Sequence, residues 1–535
     1  MINNVFFKRL TRYYAWYVLL FIVFLICLAI LEKEGVPRAW IGYLFMFSTI
    51  FIYASIGMLS RTSDITEYYV AGRRVPAIFN GMATAADWMS AASFLSLAGG
   101  LYLHGFDALA YIIGWTGGFC LVALLIAPYI RKFGQYSIAD FLGTRFSGDK
   151  GSNLVRILAV VATILISFTY VVAQIYGVGL ITSRFTGVDF TIGIFLGLAS
   201  VLVCSFLGGM RAVTWTQVAQ YLIIIIAYLI PVTWLSMKHV HTPVPHVAYG
   251  SLLPALNAKE KAFSLEPKEQ EVRTIFKQQA LELAHKIDQL PQSLEDGRLE
   301  LQSRLDDLSA GHGTLIAIKA AKLALATYPK TVQEARLRWT ETMKLKLARA
   351  NPELNNFSPY VAKNKNESDI KRNNFLALVF CLMMGTAALP HVLIRYYTTP
   401  SVRESRESVF WSLFFIMLLY LTIPALAVLL KYDIYTSLVG IEFDKLPSWV
   451  HYWASIDKLN PLVNISDINH DGIVQLAEIT FDGDILVLAA PEITGLPYVV
   501  SGLVAAGGLA AALSTADGLL LTISNSLSHD IYYKI

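Results

Sequence analysis

Long apolar runs recur along this chain, each about as long as a bilayer is thick. A helix needs roughly 20 apolar residues to cross the hydrocarbon core. Within lipid, only elements that satisfy their own backbone hydrogen bonds can span. Ten such runs can be marked, at 13–31, 39–60, 78–103, 107–130, 153–183, 189–208, 214–237, 374–395, 408–430 and 495–528. The 535 residues are 55% hydrophobic and 15% charged, where a soluble domain carries about 25% charged residues. An all-α polytopic membrane protein follows. The net charge of +4 gives no signal for nucleic acid. Cys27, Cys120, Cys204 and Cys381 all fall in apolar runs and read as small core residues, not as a disulfide framework or metal site.

The first run follows Lys8, Arg9 and Arg12. It is too long for a signal-peptide core, and Leu31-Glu32-Lys33-Glu34 offers no cleavage site, so it reads as an anchor helix within 1–38. Basic residues of short loops set orientation. Arg61, Arg73, Arg74, Arg131, Lys132, Arg145, Lys150, Arg211, Arg395, Arg403 and Arg406 fall on one side, and Lys33, Arg38 and Arg184 on the other. This bias predicts a cytoplasmic N-terminus in the plasma (inner) membrane. The chain then divides into a first membrane part (39–237), an outer insertion (238–373), a second membrane part (374–430), an outer loop (431–494) and a last core helix (495–535).

The insertion is rich in Ala, Leu, Glu, Lys and Gln between 260 and 349, with apolar positions at helical spacing and breaks at Pro291, Gly297, Gly311 to Gly313 and Pro329. That pattern predicts two or three antiparallel amphipathic helices. The outer loop contains Asp467, Asn469, Asp471, Gly472, Ile473, Gln475 and Glu478 at the spacing of a twelve-residue calcium loop. Side-chain oxygens at the first, third and fifth positions, a carbonyl at Ile473 and a bidentate Glu478 would wrap one structural Ca2+. An Asx-rich turn without metal is the alternative.

Two stretches stand out inside apolar helices. Ala510 to Asp517 combines small residues with the hydroxyls of Ser514 and Thr515, and Ala85 to Ser90 carries Asp87. Oxygens and carboxylates deep in a bilayer are costly unless something uses them, and a hard cation is held by oxygens. The pair predicts an ion site built from two helices far apart in sequence. Back-bonding of the hydroxyls one turn earlier is the plainer reading of Ser514 and Thr515. No nucleotide-binding, nucleophile-elbow or zinc-protease motif appears, so the chain does not read as an enzyme.

Several motifs together resemble the sodium/solute symporter family, and its cation/acetate symporter (acetate permease) branch in particular. They are Gly72-Arg73-Arg74, the run from Ala85 to Phe94, the run from Phe206 to Trp215, the run from Gly385 to Arg395, and Ser405 to Phe410. The likeness extends from about residue 39 to 535, interrupted by the two outer loops. It implies the leucine-transporter-like fold, with inverted repeats and discontinuous helices meeting at mid-membrane. Run 78–103 becomes the first core helix, 374–395 its broken symmetry mate and 495–528 the eighth.

By the same resemblance, Na+ would be held by the carbonyls of Ala85 and Trp88, the carbonyl of Ala511, and the hydroxyls of Ser514 and Thr515, with a one-residue slip to Ala86 and Met89 open. Residues three and four apart share a helix face, so Ala511, Ser514 and Thr515 aim at one point. Asp87 would support the ion site, or sit protonated at a helix break. Tyr170, Gln174 and Thr386 become candidate substrate contacts, and His391 a structural histidine. The acetate branch lacks the Ser–Thr pair that proline-type relatives carry, which strengthens sodium and weakens acetate. The implied activity is sodium-coupled symport of a small organic solute, a short-chain monocarboxylate such as acetate. A symporter-like sensory or scaffold domain is the alternative. Family members continue for several helices past the eighth core helix, so the chain reads as C-terminally incomplete, with a second polypeptide as one possible source of the rest.

Overall fold

The computed structural model describes residues 4–146, 152–312, 314–352, 357–362, 364–455 and 462–534. From the N-terminus run α1 (Asn4–Lys33), α2 (Arg38–Leu59), the short α3 (Ile65–Val70), α4 (Ala77–Trp88), α5 (Leu97–His104), α6 (Leu109–Leu121), α7 (Ala127–Phe133), α8 (Ile138–Arg145), α9 (Ser152–Thr186) and α10 (Phe190–Val240). The insertion forms α11 (Pro245–Leu265), α12 (Pro267–Asp288), α13 (Gln292–Asp307), α14 (Leu315–Thr327) and α15 (Val332–Ala350). Then come α16 (Lys365–Ala387), α17 (Pro390–Leu393), α18 (Val402–Tyr420), α19 (Thr422–Ser437), α20 (Ser448–Ala454), α21 (Leu486–Ile493) and α22 (Tyr498–Asn525). A two-stranded antiparallel ribbon, β1 (Val463–Ile465) and β2 (Ile479–Phe481), pairs Asn464 with Thr480.

Local sequence explains many of the helix starts. Asp64, Thr331, Asn364 and Ser401 each accept a hydrogen bond from the backbone N–H of a Glu three residues on, the N-cap arrangement that satisfies otherwise orphaned donors. Seven helices among the described residues are long and apolar enough to cross a membrane, or up to eight with the bent pair Lys365–Ala387 and Pro390–Thr398 counted as one. The expected ten runs are all helical, but they divide differently. Run 78–103 is split into α4 and α5. Runs 189–208 and 214–237 join in α10 across Gly209, at φ 52° and ψ −142°. A Cβ there would meet Tyr68 O at 2.6 Å, so glycine is required on both backbone and space grounds.

Helix α22 is the centre of the bundle: 94% of its most apolar window is buried, against 11% for α1. It packs on α10, α9, α2 and α4. Its start is fixed by α1, since Glu32 accepts from the backbone N–H groups of Tyr498 and Val499 at 2.7 and 2.8 Å. The cysteines depart from expectation. Cys27 and Cys381 are exposed and Cys120 is half-buried, because they sit on outward faces of apolar helices, where small size matters little. The Cys204 side chain lies outside the described residues.

The insertion holds five helices where two or three were expected, and Gly297 lies inside α13 without breaking it. Its core pairs α12 with α15 through Val272, Phe276 and Ala350, and it docks on the outer loop at Ala477 and Ile468. Glu269 accepts the Ala477 N–H at 3.0 Å and pairs with Arg273 at 2.8 Å.

The Glu32 cap gives a direct check. Glu32→Ala removes a charged acceptor from two backbone donors, worth about 2 kcal/mol. Thermal unfolding in detergent is expected to fall by several degrees, with Glu32→Gln intermediate. Unchanged stability would show that α22 starts without help from α1.

Candidate ion site

Helix α4 stops at Trp88, Met89 takes φ −78° and ψ 75°, and helix resumes from Ala91. Gly81, Ala83, Ala85 and Ala86 are small residues that favour a break less than the turn at Met89 does. The helix runs unbroken through them, and Gly81 admits the Trp411 side chain of α18, which a Cβ would approach at 2.6 Å. The break decides which carbonyls become available. In a continuous helix, the N–H of Ser90 would satisfy Ala86 and that of Ala91 would satisfy Asp87. Here Ser90 N donates to Trp88 O, and Ala91 N donates to Gln174 Oε1, both at 2.9 Å. Met89 N still closes on Ala85 O. The oxygens released are those of Ala86, the one-residue slip left open above, and Asp87, whereas the Ala85 and Trp88 carbonyls accept backbone N–H groups.

Helix α22 supplies the rest. Ser514 Oγ lies 2.7 Å from Ala86 O and 3.0 Å from Ala511 O. Thr515 Oγ1 lies 2.9 Å from Asp87 O and 3.2 Å from Ala511 O. Three carbonyl oxygens and two hydroxyls therefore meet with only two hydroxyl protons among them. All five residues are fully buried. This surplus of hard oxygen in a dry place suits a dehydrated cation. Each hydroxyl reaches back to Ala511, as back-bonding predicts, and also across to a carbonyl of α4.

Around this point lies a buried polar network. Asp87 Oδ2 accepts from Arg395 Nε at 3.1 Å, with both side chains fully buried. Gln217 Nε2 donates to Asp87 Oδ1 at 3.3 Å and to Ser514 O at 2.7 Å. Arg395 Nη1 reaches Thr214 Oγ1 at 3.1 Å. Below it, Asn80 donates to Ser408 Oγ at 2.8 Å and accepts from Thr398 at 2.9 Å. The Asp87 carboxylate presses against Gly518 of α22, where a Cβ would overlap it. Asp87 is thus an ion-paired residue and not a lone acid at a break. Arg395, assigned to a loop by the charge count, is inside the protein. Its place at the end of an apolar run was the available signal, because an intramembrane charge needs a partner.

The second broken helix is also present. Helix α16 ends at Ala387, α17 begins at Pro390, and the two are bent by 50°. The expected substrate residues part company here. Tyr170 stacks edge-on against His391, with ring centroids 5.7 Å apart, and His391 is buried. Gln174 is occupied in holding Ala91 N. Thr386 turns away: its hydroxyl reaches Leu382 O at 2.5 Å, and it packs against Gly118 of α6. The Gly385–Thr386 backbone lies inside α16, so its N–H groups do not face a ligand.

The calcium-like loop closes through its own hydrogen bonds. Asp467 accepts from the N–H groups of Asp471 and Gly472 at 3.2 and 3.0 Å. Both Glu478 oxygens accept backbone donors, from Ile468 at 2.6 Å and Gln475 at 2.9 Å, and Gln475 donates to Asp471 at 2.9 Å. Among the described residues, no three His, Cys, Asp or Glu side chains converge as a metal group. The loop's order and its docking on α12 are accounted for without Ca2+, and the calcium expectation gains no support.

Comparisons with known proteins bear on the family and the fold. The family model of the sodium:solute symporter family matches residues 68–247. The chain is 53% identical over 530 residues to an uncharacterized symporter of Cupriavidus necator, covering 99% of this chain and 77% of that protein. It is 24% identical over 400 residues to the monocarboxylic acid transporter of Corynebacterium glutamicum, covering 74% of this chain and 55% of that one. Among solved structures, the substrate-bound, outward-open state of a Na+-coupled sialic acid symporter superposes with a TM-score of 0.53. It is 17% identical and covers 92% of this chain and 74% of that one. The fold is the leucine-transporter-like one.

Arg395→Leu leaves Asp87 charged, buried and unpaired, at a cost of about 3–5 kcal/mol. Adding Asp87→Asn is expected to restore part of the lost thermal stability. A double variant less stable than the sum of the single losses would contradict the pairing.

Proposed function

This chain belongs to the sodium:solute symporter family, and from that premise we propose that it carries a small organic solute across the membrane together with Na+, bound between α4 and α22. The observation that supports the ion site is the convergence of Ser514 and Thr515 on the two carbonyls that the α4 break releases. On binding, Na+ takes over these oxygens and fastens α22 to α4. The unwound segment at Met89 and Ser90 is part of the same turn, so the cation also fixes the place where solute docks. Linkage makes the effect mutual: solute tightens sodium by the factor with which sodium tightens solute.

The solute we propose is a short-chain monocarboxylate such as acetate. The Corynebacterium relative named as a monocarboxylic acid transporter supports this class. The site would lie between the two helix breaks, beside Tyr170 and His391. Gln174 serves it by holding the restarted helix at Ala91. One Na+ carried with one monocarboxylate anion moves no net charge, so the sodium concentration gradient alone drives the pair. A tenfold gradient supplies about 1.4 kcal/mol and sustains a roughly tenfold solute gradient.

Uptake in proteoliposomes tests the reading. Removing both hydroxyls, with Ser514→Ala and Thr515→Ala, is expected to abolish the stimulation of labelled acetate or pyruvate uptake by an inward sodium gradient, while the protein remains inserted and folded. Undiminished sodium stimulation in that variant would overturn the site. No monocarboxylate uptake by the parent, with sodium-driven uptake of proline or a sugar, would overturn the solute class.

A further inference from the structure

A cavity of about 840 Å³ lies between the N-terminal half of α1 and the bundle, and none of the ion-site oxygens lines it. Arg73, Arg74, Arg211 and Glu67 line its polar side, so three guanidinium groups face one carboxylate. Glu67 is engaged: it accepts from Arg211 at 2.5 Å and from Thr62 at 2.8 Å. Arg73 donates to Gly134 O and lies over the Tyr136 ring. Arg74 is exposed and makes no hydrogen bond or ion pair among the described residues. Two positive charges are left over at the cavity wall.

The opposite wall is of another kind. Leu10, Tyr14 and Tyr17 of α1, with Ile56 and Leu59 from the end of α2, give it an apolar and aromatic lining. Tyr14 Oη donates to Trp215 O at 2.9 Å, which ties α1 to α10 beside the cavity. Leu59 is 84% exposed and the neighbouring Tyr13 61% exposed. Leu59 ends α2 and Tyr13 lies inside the N-terminal part of α1, both helices of membrane length, so the mouth opens toward lipid. Lys8, Arg9 and Arg12, exposed on the same end of α1, add to the positive field.

We propose that this cavity holds an anionic phospholipid, its phosphate on Arg74 and Arg73 and its acyl chains against Ile56 and Leu59. Charge complementarity selects the headgroup, and the apolar wall at membrane depth selects a lipid over a free anion. The site assigns a purpose to the Gly72-Arg73-Arg74 motif and to Arg211, which the transport reading leaves unused, and it does not depend on that reading.

The test uses the full chain, purified and delipidated in detergent, then titrated with phosphatidylglycerol, phosphatidylcholine or inorganic phosphate. Native mass spectrometry is expected to show one retained phosphatidylglycerol per chain, with a higher unfolding temperature than in phosphatidylcholine and no rise with phosphate alone. Arg74→Gln is expected to weaken phosphatidylglycerol retention about fivefold, the effect of one basic group near a membrane surface. Its unfolding temperature in phosphatidylcholine should stay close to the parent's, because the side chain makes no hydrogen bond or ion pair among the described residues. Arg74→Lys should retain most of the binding. Equal stabilisation by phosphatidylcholine, saturation by inorganic phosphate, or unaltered retention in Arg74→Gln would overturn the proposal.

Discussion

A carboxylate and a guanidinium, both cut off from water, set the geometry of the membrane core. Placing either charge there alone costs several kcal/mol, so Asp87 and Arg395 can be accommodated only together. They belong to different halves of the chain, and their pairing draws α4 against the turn that follows α17. Gln217 extends the link from Asp87 to the Ser514 carbonyl on α22. Gly518, with no side chain, lets α22 come close enough for the link to form.

The candidate ion site follows from this packing. With α4 held at Asp87, the chain breaks just beyond Trp88, and the donors that would have closed the helix go to Trp88 O and Gln174. The break therefore leaves acceptors without donors at the place where Ser514 and Thr515 arrive. Hydroxyls satisfy these carbonyls in part, and a cation satisfies them more fully. Such a site can report occupancy to the helix break beside it, because the same few residues form both. That is the physical content of coupling: two ligands that stabilise one arrangement of α4 and α22 assist each other.

Much of this was legible in the sequence. Apolar length predicted helices across a membrane, and the Ser514–Thr515 pair and Asp87 announced themselves as polar groups in costly places. The break at Pro390 was legible from the ring of proline, which cannot continue a helix. What escaped was anything decided by a neighbour remote in sequence. Arg395 was counted as a loop charge because no local pattern shows that its partner is Asp87. Thr386 was taken for a ligand because its backbone context looked right, whereas its orientation depends on Gly118 of another helix. That the Asp87 carbonyl and not that of Trp88 or Met89 is released turns on Gln174, which captures the Ala91 N–H. The calcium spacing is matched fully, yet the loop's carboxylates accept hydrogen bonds from the loop's own amides.

The central claim is that the oxygens joining α4 to α22 are sodium ligands. Electron cryomicroscopy of the protein in saturating sodium, set beside a map in potassium alone, tests it most directly. The account predicts discrete density in sodium coordinated by Ala86 O, Asp87 O, Ala511 O and the Ser514 and Thr515 hydroxyls, and none in potassium. Identical maps, with both hydroxyls hydrogen-bonded to the α4 carbonyls and sodium density elsewhere, would contradict it.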